Sequence, residues 1–234
     1  MTDQKLIIKQ DAGVLTLVLN RPNKLNAIDN DLASHLQKSL DAAATDASVR
    51  AIRILGNGRA FCAGRDVSEA PTEKDLELVQ SVAWSIVSNP KPIIAAVHGW
   101  TIGAGFEWML NADIVYASED AKFKLPEASL GVFVTGGLVA TLPAAIGLTR
   151  AKALMLLGEE FSARQAADWG LVYRVVPTNE LNAVTLDACR RLAELEPSVA
   201  AQFKRVLNLF GLGNFTRAIE EESRVHRTLG GRAK

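Results

Sequence analysis

Short apolar runs bounded by turn-forming residues open this chain, and apolar residues spaced three and four apart close it. Leu6–Lys9 and Val14–Leu19 flank Ala12-Gly13, a pattern that predicts a hairpin of two strands. After the turn at Arg21-Pro22-Asn23, the Asp29-Asn30 pair offers a helix cap. Leu32, Leu36 and Leu40 then share one face of a helix running to Ala42-Ala43-Ala44. Ala51–Leu55 predicts a strand closed by Gly56-Asn57-Gly58, and Phe61-Cys62 the end of a shorter one. Pro71–Val87 predicts a helix carrying Leu76, Leu78, Val79, Val82, Trp84 and Ile86, stopped by Pro90 and Pro92. Its apolar residues read either as core or as the wall of a pocket.

The apolar run Pro92–Val97 predicts a buried strand, and Glu107–Asp113 a helix. Ile114–Ala117 and Lys122–Leu125 predict strands around a turn at Ser118-Glu119-Asp120. Gly136-Gly137 opens a helix through Ile146, Gly147-Leu148-Thr149 caps another, and Ser162–Gly170 is a short capped helix before the strand Leu171–Val176. From Leu181 the chain reads as helical, with Leu181, Val184, Ala188 and Leu192 on one face. Strands dominate early and helices late, which points to an α/β protein without residue-level repeats.

Composition narrows the function classes. With 234 residues and 48% hydrophobic content the chain can bury a sizeable core. Its 26 Lys and Arg balance 26 Asp and Glu, so no global field favours nucleic acid or an anionic membrane. Cys62 and Cys189 have neither disulfide-framework nor metal-ligand spacing, and no metal site is expected. The start, Met-Thr-Asp-Gln-Lys, does not read as a signal peptide, and no apolar run reaches membrane-spanning length. A cytoplasmic protein is the expectation.

The chemistry concentrates in His98-Gly99-Trp100-Thr101-Ile102-Gly103-Ala104-Gly105-Phe106-Glu107. A glycine-containing turn into a helix gathers unpaired backbone N–H groups at the positive end of the helix dipole, which suits an anionic oxygen. Glu107 beside it can move a proton. Gly103-x-Gly105 also has a plain reading as close backbone packing, and Glu107 one as favourable first-turn charge. The Ala63 N–H, after Phe61-Cys62, is a second candidate donor. Glu127, after Pro126, is a second candidate carboxylate, with a solvated loop acid as its plain alternative. His98, beside Gly99, reads as a packed side chain rather than a member of a triad.

In order along the chain, Leu19-Asn-Arg-Pro-Asn-Lys-Leu-Asn-Ala27, Phe61-Cys-Ala-Gly-Arg-Asp66, Ala95–Glu107, Asp113–Ala117, Phe123-Lys-Leu-Pro-Glu-Ala-Ser-Leu-Gly131 and Ala163–Val172 resemble the enoyl-CoA hydratase/isomerase (crotonase) family. The resemblance implies a crotonase-like spiral of repeated ββα turns with a helical C-terminal region. It divides the chain into a core at 1–177 and a helical region at 178–234, shorter than is usual for the family. Assembly as a homotrimer or a dimer of trimers is implied as well, and so is an acyl-CoA substrate with no cofactor beyond the coenzyme A that the substrate carries.

The same resemblance implies roles for individual residues. The N–H groups of Ala63 and Ala104 would form an oxyanion hole for the thioester oxygen. Lys24, Leu25, Ala27, Arg65, Asp66, Gly103 and Thr135 would contact substrate or its CoA. Two carboxylates, Glu107 activating water and Glu127 protonating C2, imply hydration of a 2,3-enoyl-CoA. Departures from the pattern at Val132–Thr135 and Arg65 keep another acyl-CoA reaction as the alternative: isomerisation, hydrolysis, ring opening or decarboxylation. The family's usual C-terminal Ala-Phe-x-Glu-Lys-Arg helix is also missing before Lys234, which leads us to expect altered CoA affinity and subunit contacts. A non-catalytic or RNA-binding relative is disfavoured by the intact acids and the zero net charge.

Overall fold

The computed structural model describes residues 4–68 and 72–230. In chain order the elements are β1 (Leu6–Asp11), β2 (Val14–Leu19), α1 (Asn30–Thr45), β3 (Ala51–Gly56), β4 (Ala60–Cys62), α2 (Glu73–Ser88), β5 (Ile93–Val97), β6 (Trp100–Ile102), α3 (Ala104–Leu110), β7 (Ile114–Ser118), β8 (Lys122–Lys124), α4 (Leu138–Ile146), α5 (Leu148–Leu157), β9 (Phe161–Ser162), α6 (Ala163–Asp168), β10 (Arg174–Val176), α7 (Leu181–Ala193), α8 (Pro197–Gly211) and α9 (Phe215–Gly230).

Two sheets result. The larger runs β1-β2-β3-β5-β7-β10, with only the β1–β2 hairpin antiparallel; the smaller runs β4-β6-β8-β9, parallel except for β9. Successive turns place one strand in each sheet and then a helix: β3-β4-α2, β5-β6-α3, and β7-β8 followed by α4. This is the expected spiral of ββα turns.

Every residue of β5 is buried, as befits a central strand of a parallel sheet covered on both faces. Ile93, Ala95 and Val97 join the main core with Leu32, Leu36 and Leu40 of α1 and Val79, Val82 and Ile86 of α2. Ile94 and Ala96 point the other way, onto Leu181 and Cys189 of α7. The amphipathic face read from Leu181 onward therefore closes the outer side of the sheet. Asp29 caps α1 through the Leu32 N–H at 2.9 Å, and Thr72 and Asp75 form a capping box on α2. The predicted start of that helix at Pro71 lies outside the described residues.

The main departures from expectation lie around β6 and in the last strand. Trp100–Ile102 is a strand, because pairing with β4 and β8 overrides a sequence too short to show alternation. As a result α3 starts at Ala104 rather than at Glu107. The last strand keeps only Arg174–Val176 of the predicted stretch, where it pairs with β7. No described helix is long and apolar enough to cross a membrane.

Candidate active site

Because β4, β6 and β8 run parallel, their C-terminal ends emerge on one edge of the smaller sheet. That edge is where parallel sheets expose backbone groups to ligands. The chain leaves it as Ala63-Gly64 after β4, Gly103-Ala104 after β6, and Leu125-Pro126-Glu127 after β8. The Gly103 N–H donates to the Lys124 carbonyl at 3.1 Å, tying two of these exits together.

Ala104 is the first residue of α3, so its N–H has no acceptor within the helix and points out of the helix start. One turn later Glu107 is 1% exposed. Its carboxylate accepts from the Thr135 N–H at 3.1 Å and from the Gly136 N–H. Burial pushes this carboxyl well above its ordinary range, and the negative charges of Glu222 and Glu127 push it in the same direction. The Thr135 N–H, expected to contact substrate, is instead directed to the Glu107 carboxylate.

Glu127 faces the same space. Its Oε2 is buried and has no hydrogen-bond partner among the described residues, and burial raises its carboxyl to about 7. A buried carboxyl with an unpartnered oxygen next to a cavity can hold a proton near neutral pH. The cavity measures about 480 Å³. Among the residues lining it are Ala63, Gly64, Arg65, Gly103, Ala104, Glu107, Glu127 and Thr135, together with Leu76, Val79, Leu130, Val132, Phe133 and His226. Leu76 and Val79 of α2 therefore serve as pocket wall as well as core.

The oxyanion donor expected at Ala63 needs correcting. Its N–H donates to the Leu25 carbonyl at 3.0 Å, so it is aimed at protein and away from the cavity. A lone parallel bridge explains why: the Ile28 N–H donates to the Gly64 carbonyl at 2.8 Å, and the Asp66 N–H to the Ile28 carbonyl at 2.8 Å. In such a bridge the intervening N–H, that of Arg65, turns away from the Ile28 segment. The Ala63 N–H is therefore not free to face a ligand in the cavity.

Arg65 lines the cavity and its guanidinium pairs with Asp75 at 3.2 Å. Lys24, Leu25, Ala27 and Asp66 are not brought to the cavity wall. Lys24 ends a short 3-10 turn, Leu25 serves as the acceptor for Ala63, and the Ala27 carbonyl accepts from Arg21. The Asp66 carboxylate is held down to about 2 by hydrogen bonds from Ser68 and Arg21. The His98 ring is 2.9 Å from the Gly58 carbonyl, a packed side chain as expected.

Sequence reasoning missed Glu222 and His226, both on α9. Glu222 is 0% exposed and accepts from the Gly137 N–H at 2.7 Å and the Val139 N–H at 2.9 Å. His226 lines the cavity, with its ring against the Phe133 backbone and Nδ1 buried. The signal was present: both residues continue the stripe of Phe215 and Ala218, which are buried, and polar side chains on a buried stripe demand a partner.

Comparisons with known proteins show what the chain is similar to. The family model for enoyl-CoA hydratase/isomerase matches residues 9–233. The chain is 38% identical over 208 residues to the 2,3-dehydroadipyl-CoA hydratase of Escherichia coli, covering 87% of this chain and 81% of that one. It is 33% identical over 233 residues to the 1,2-epoxyphenylacetyl-CoA isomerase of the same organism, covering 95% and 88%. The crystal structure of an enoyl-CoA hydratase from Mycobacterium avium subsp. paratuberculosis superposes with a TM-score of 0.92 at 31% identity, over 96% of this chain and 93% of that one.

Proposed function

Since the chain belongs to the enoyl-CoA hydratase/isomerase family, we propose that it adds water across the 2,3 double bond of an enoyl-CoA thioester. The observation that carries this reading is the pair of carboxylates, Glu107 and Glu127, facing one cavity beside the open N–H of Ala104. Hydration needs one proton acceptor and one proton donor at the same time. Two buried carboxyls, each raised above its ordinary range, can divide those tasks, one keeping a proton to give and the other taking one.

Glu107, positioned by the Thr135 and Gly136 N–H groups, takes a proton from water as its oxygen bonds to C3. Glu127 delivers its proton to C2, and a proton passing from Glu107 to Glu127 restores the start. Between these events the thioester oxygen carries the enolate charge. The Ala104 N–H and the Arg65 N–H are the donors we assign to it. Losing one such donor costs about 3–4 kcal/mol of transition-state stabilisation. Coenzyme A enters only as part of the substrate, with Lys24, Leu25, Ala27 and Asp66 on the neighbouring surface assigned to its outer portion.

We further read Val199, Phe203, Val206, Leu207 and Phe210, an exposed apolar face of α8, as the surface through which the chain forms a trimer. A cytoplasmic setting accords with the two free, buried thiols of Cys62 and Cys189.

Incubation with crotonyl-CoA in ¹⁸O-water, followed by mass spectrometry, tests the reaction. Incorporation into a 3-hydroxyacyl-CoA that is lost in Glu107→Gln supports hydration. Exchange of the α-proton without ¹⁸O uptake overturns it in favour of isomerase-type chemistry, which the second relative's name makes the leading alternative.

A further inference from the structure

The backbone from Thr135 to Val139 serves two masters. Its first N–H groups, of Thr135 and Gly136, point to Glu107 of α3; the next available ones, of Gly137 and Val139, point to Glu222 of α9. Two buried carboxylates from elements far apart in sequence thus hold adjacent N–H groups of one short loop. We propose that Glu222 is a positioning residue for Glu107: by holding the Gly137 and Val139 N–H groups it fixes the loop whose Thr135 and Gly136 N–H groups hold Glu107.

Capping of α4 alone does not account for Glu222. A neutral Asn or Ser accepts helix N–H groups as well, without placing a charge beside another buried acid. The carboxyl of Glu222 is raised to about 7 by burial, so capping with a carboxylate here carries a cost that a neutral cap avoids. What the charge adds is repulsion on Glu107, which makes Glu107 a stronger base. The other charged groups around Glu107 are Glu127 after β8 and, farther along the cavity, the Arg65–Asp75 pair and His226. Of these Glu222 alone also holds the loop.

The inference rests on the hydration reading in taking Glu107 as the base, so its test includes a readout that needs no turnover. Wild type, Glu222→Gln, Glu222→Asp and Glu107→Gln are labelled with ¹³C at the glutamate carboxyls and titrated by NMR. The resonance absent from Glu107→Gln reports that group. We expect it to titrate about one pH unit lower in Glu222→Gln, where the charge is gone, and to return toward wild type in Glu222→Asp. In Glu222→Gln the kcat for crotonyl-CoA should fall about 10-fold to 100-fold through loss of loop position, while butyryl-CoA affinity changes less than about threefold.

An unshifted Glu107 resonance in folded Glu222→Gln overturns the proposal, as does a kcat within about twofold of wild type. Should Glu222→Gln not fold, Glu222→Asp decides: reduced kcat with the Glu107 titration retained supports the proposal, and unchanged kcat overturns it. A wild type that titrates as described yet incorporates no ¹⁸O overturns the hydration reading while supporting the coupling of the two carboxylates.

Discussion

Gly103 stands so close to Glu127 that a Cβ built on it would come within 2.7 Å of the Glu127 Oε1. Gly103 also holds φ at +52°, in the region that side-chain-bearing residues avoid. The turn from β6 into α3 and the seat of the Glu127 carboxyl are thus one piece of geometry. Gly103→Ala should displace the Glu127 carboxyl and strain the turn by about 1–2 kcal/mol. The expected outcome is a drop in kcat of at least about tenfold with a modest fall in Tm, read by steady-state kinetics and thermal unfolding. Activity retained at the wild-type level would show that Glu127 does not depend on this approach.

Ala104→Pro removes the N–H assigned to the thioester oxygen while occupying the first position of a helix, where proline is tolerated. The variant should fold, bind butyryl-CoA, and lose about 10²–10³ in kcat. Ala63→Gly, by contrast, leaves the Ala63 N–H on the Leu25 carbonyl and should be close to neutral. Circular dichroism and kinetics on the two variants separate the donor from its neighbour.

The Glu127 carboxyl, raised from 4.5 to about 7 by burial, should write itself into two pH profiles. As proton donor it must be protonated, so kcat/KM should decline on the alkaline side with an apparent pKa near 7. For stability the sign runs the same way. The folded state retains a proton that the unfolded chain releases, so this contribution is complete below about 4.5 and lost as pH rises through about 7. Its size is at most roughly 3 kcal/mol. Glu127→Gln should flatten that part of the curve and leave the part due to Glu222, which denaturant melts from pH 5 to pH 8 will resolve.

His226 and Phe133 both line the cavity that Ala104 and Arg65 also face. Shortening His226 to Ala should lengthen the space available to the acyl group. The ratio of kcat/KM for octenoyl-CoA over crotonyl-CoA should rise several-fold, within the roughly 10–200-fold that a single pocket contact commands. An unchanged ratio would place the acyl tail elsewhere.

Much of the site was legible before any coordinates. Glu107 and Glu127 stood out as acids next to glycine and proline punctuation, and the ordered blocks around them identified the family. The spiral followed from that resemblance rather than from periodicity, because β6 and β8 are three residues each, too short to alternate detectably. The Ala63 donor failed for a related reason. Spacing locates a loop, but the direction of each N–H depends on the strand it bridges, and the Ile28 partner lies far away in sequence.

What this sequence determined by itself was therefore local: where helices are capped, which runs are apolar enough to be buried, and which residue types sit at the chain's turns. Tertiary structure decided which of those residues meet. It aligned three parallel strand ends so that Glu107 and Glu127 share a cavity, and it turned the Ala63 N–H onto the Leu25 carbonyl. Docking of α9 placed Glu222 behind Glu107, an acid whose sequence neighbours look like any charged helical run. Local order is set by forces that act within a few residues, whereas the protonation of a buried carboxyl is set by charge and solvent exclusion from every direction, including elements a hundred residues away.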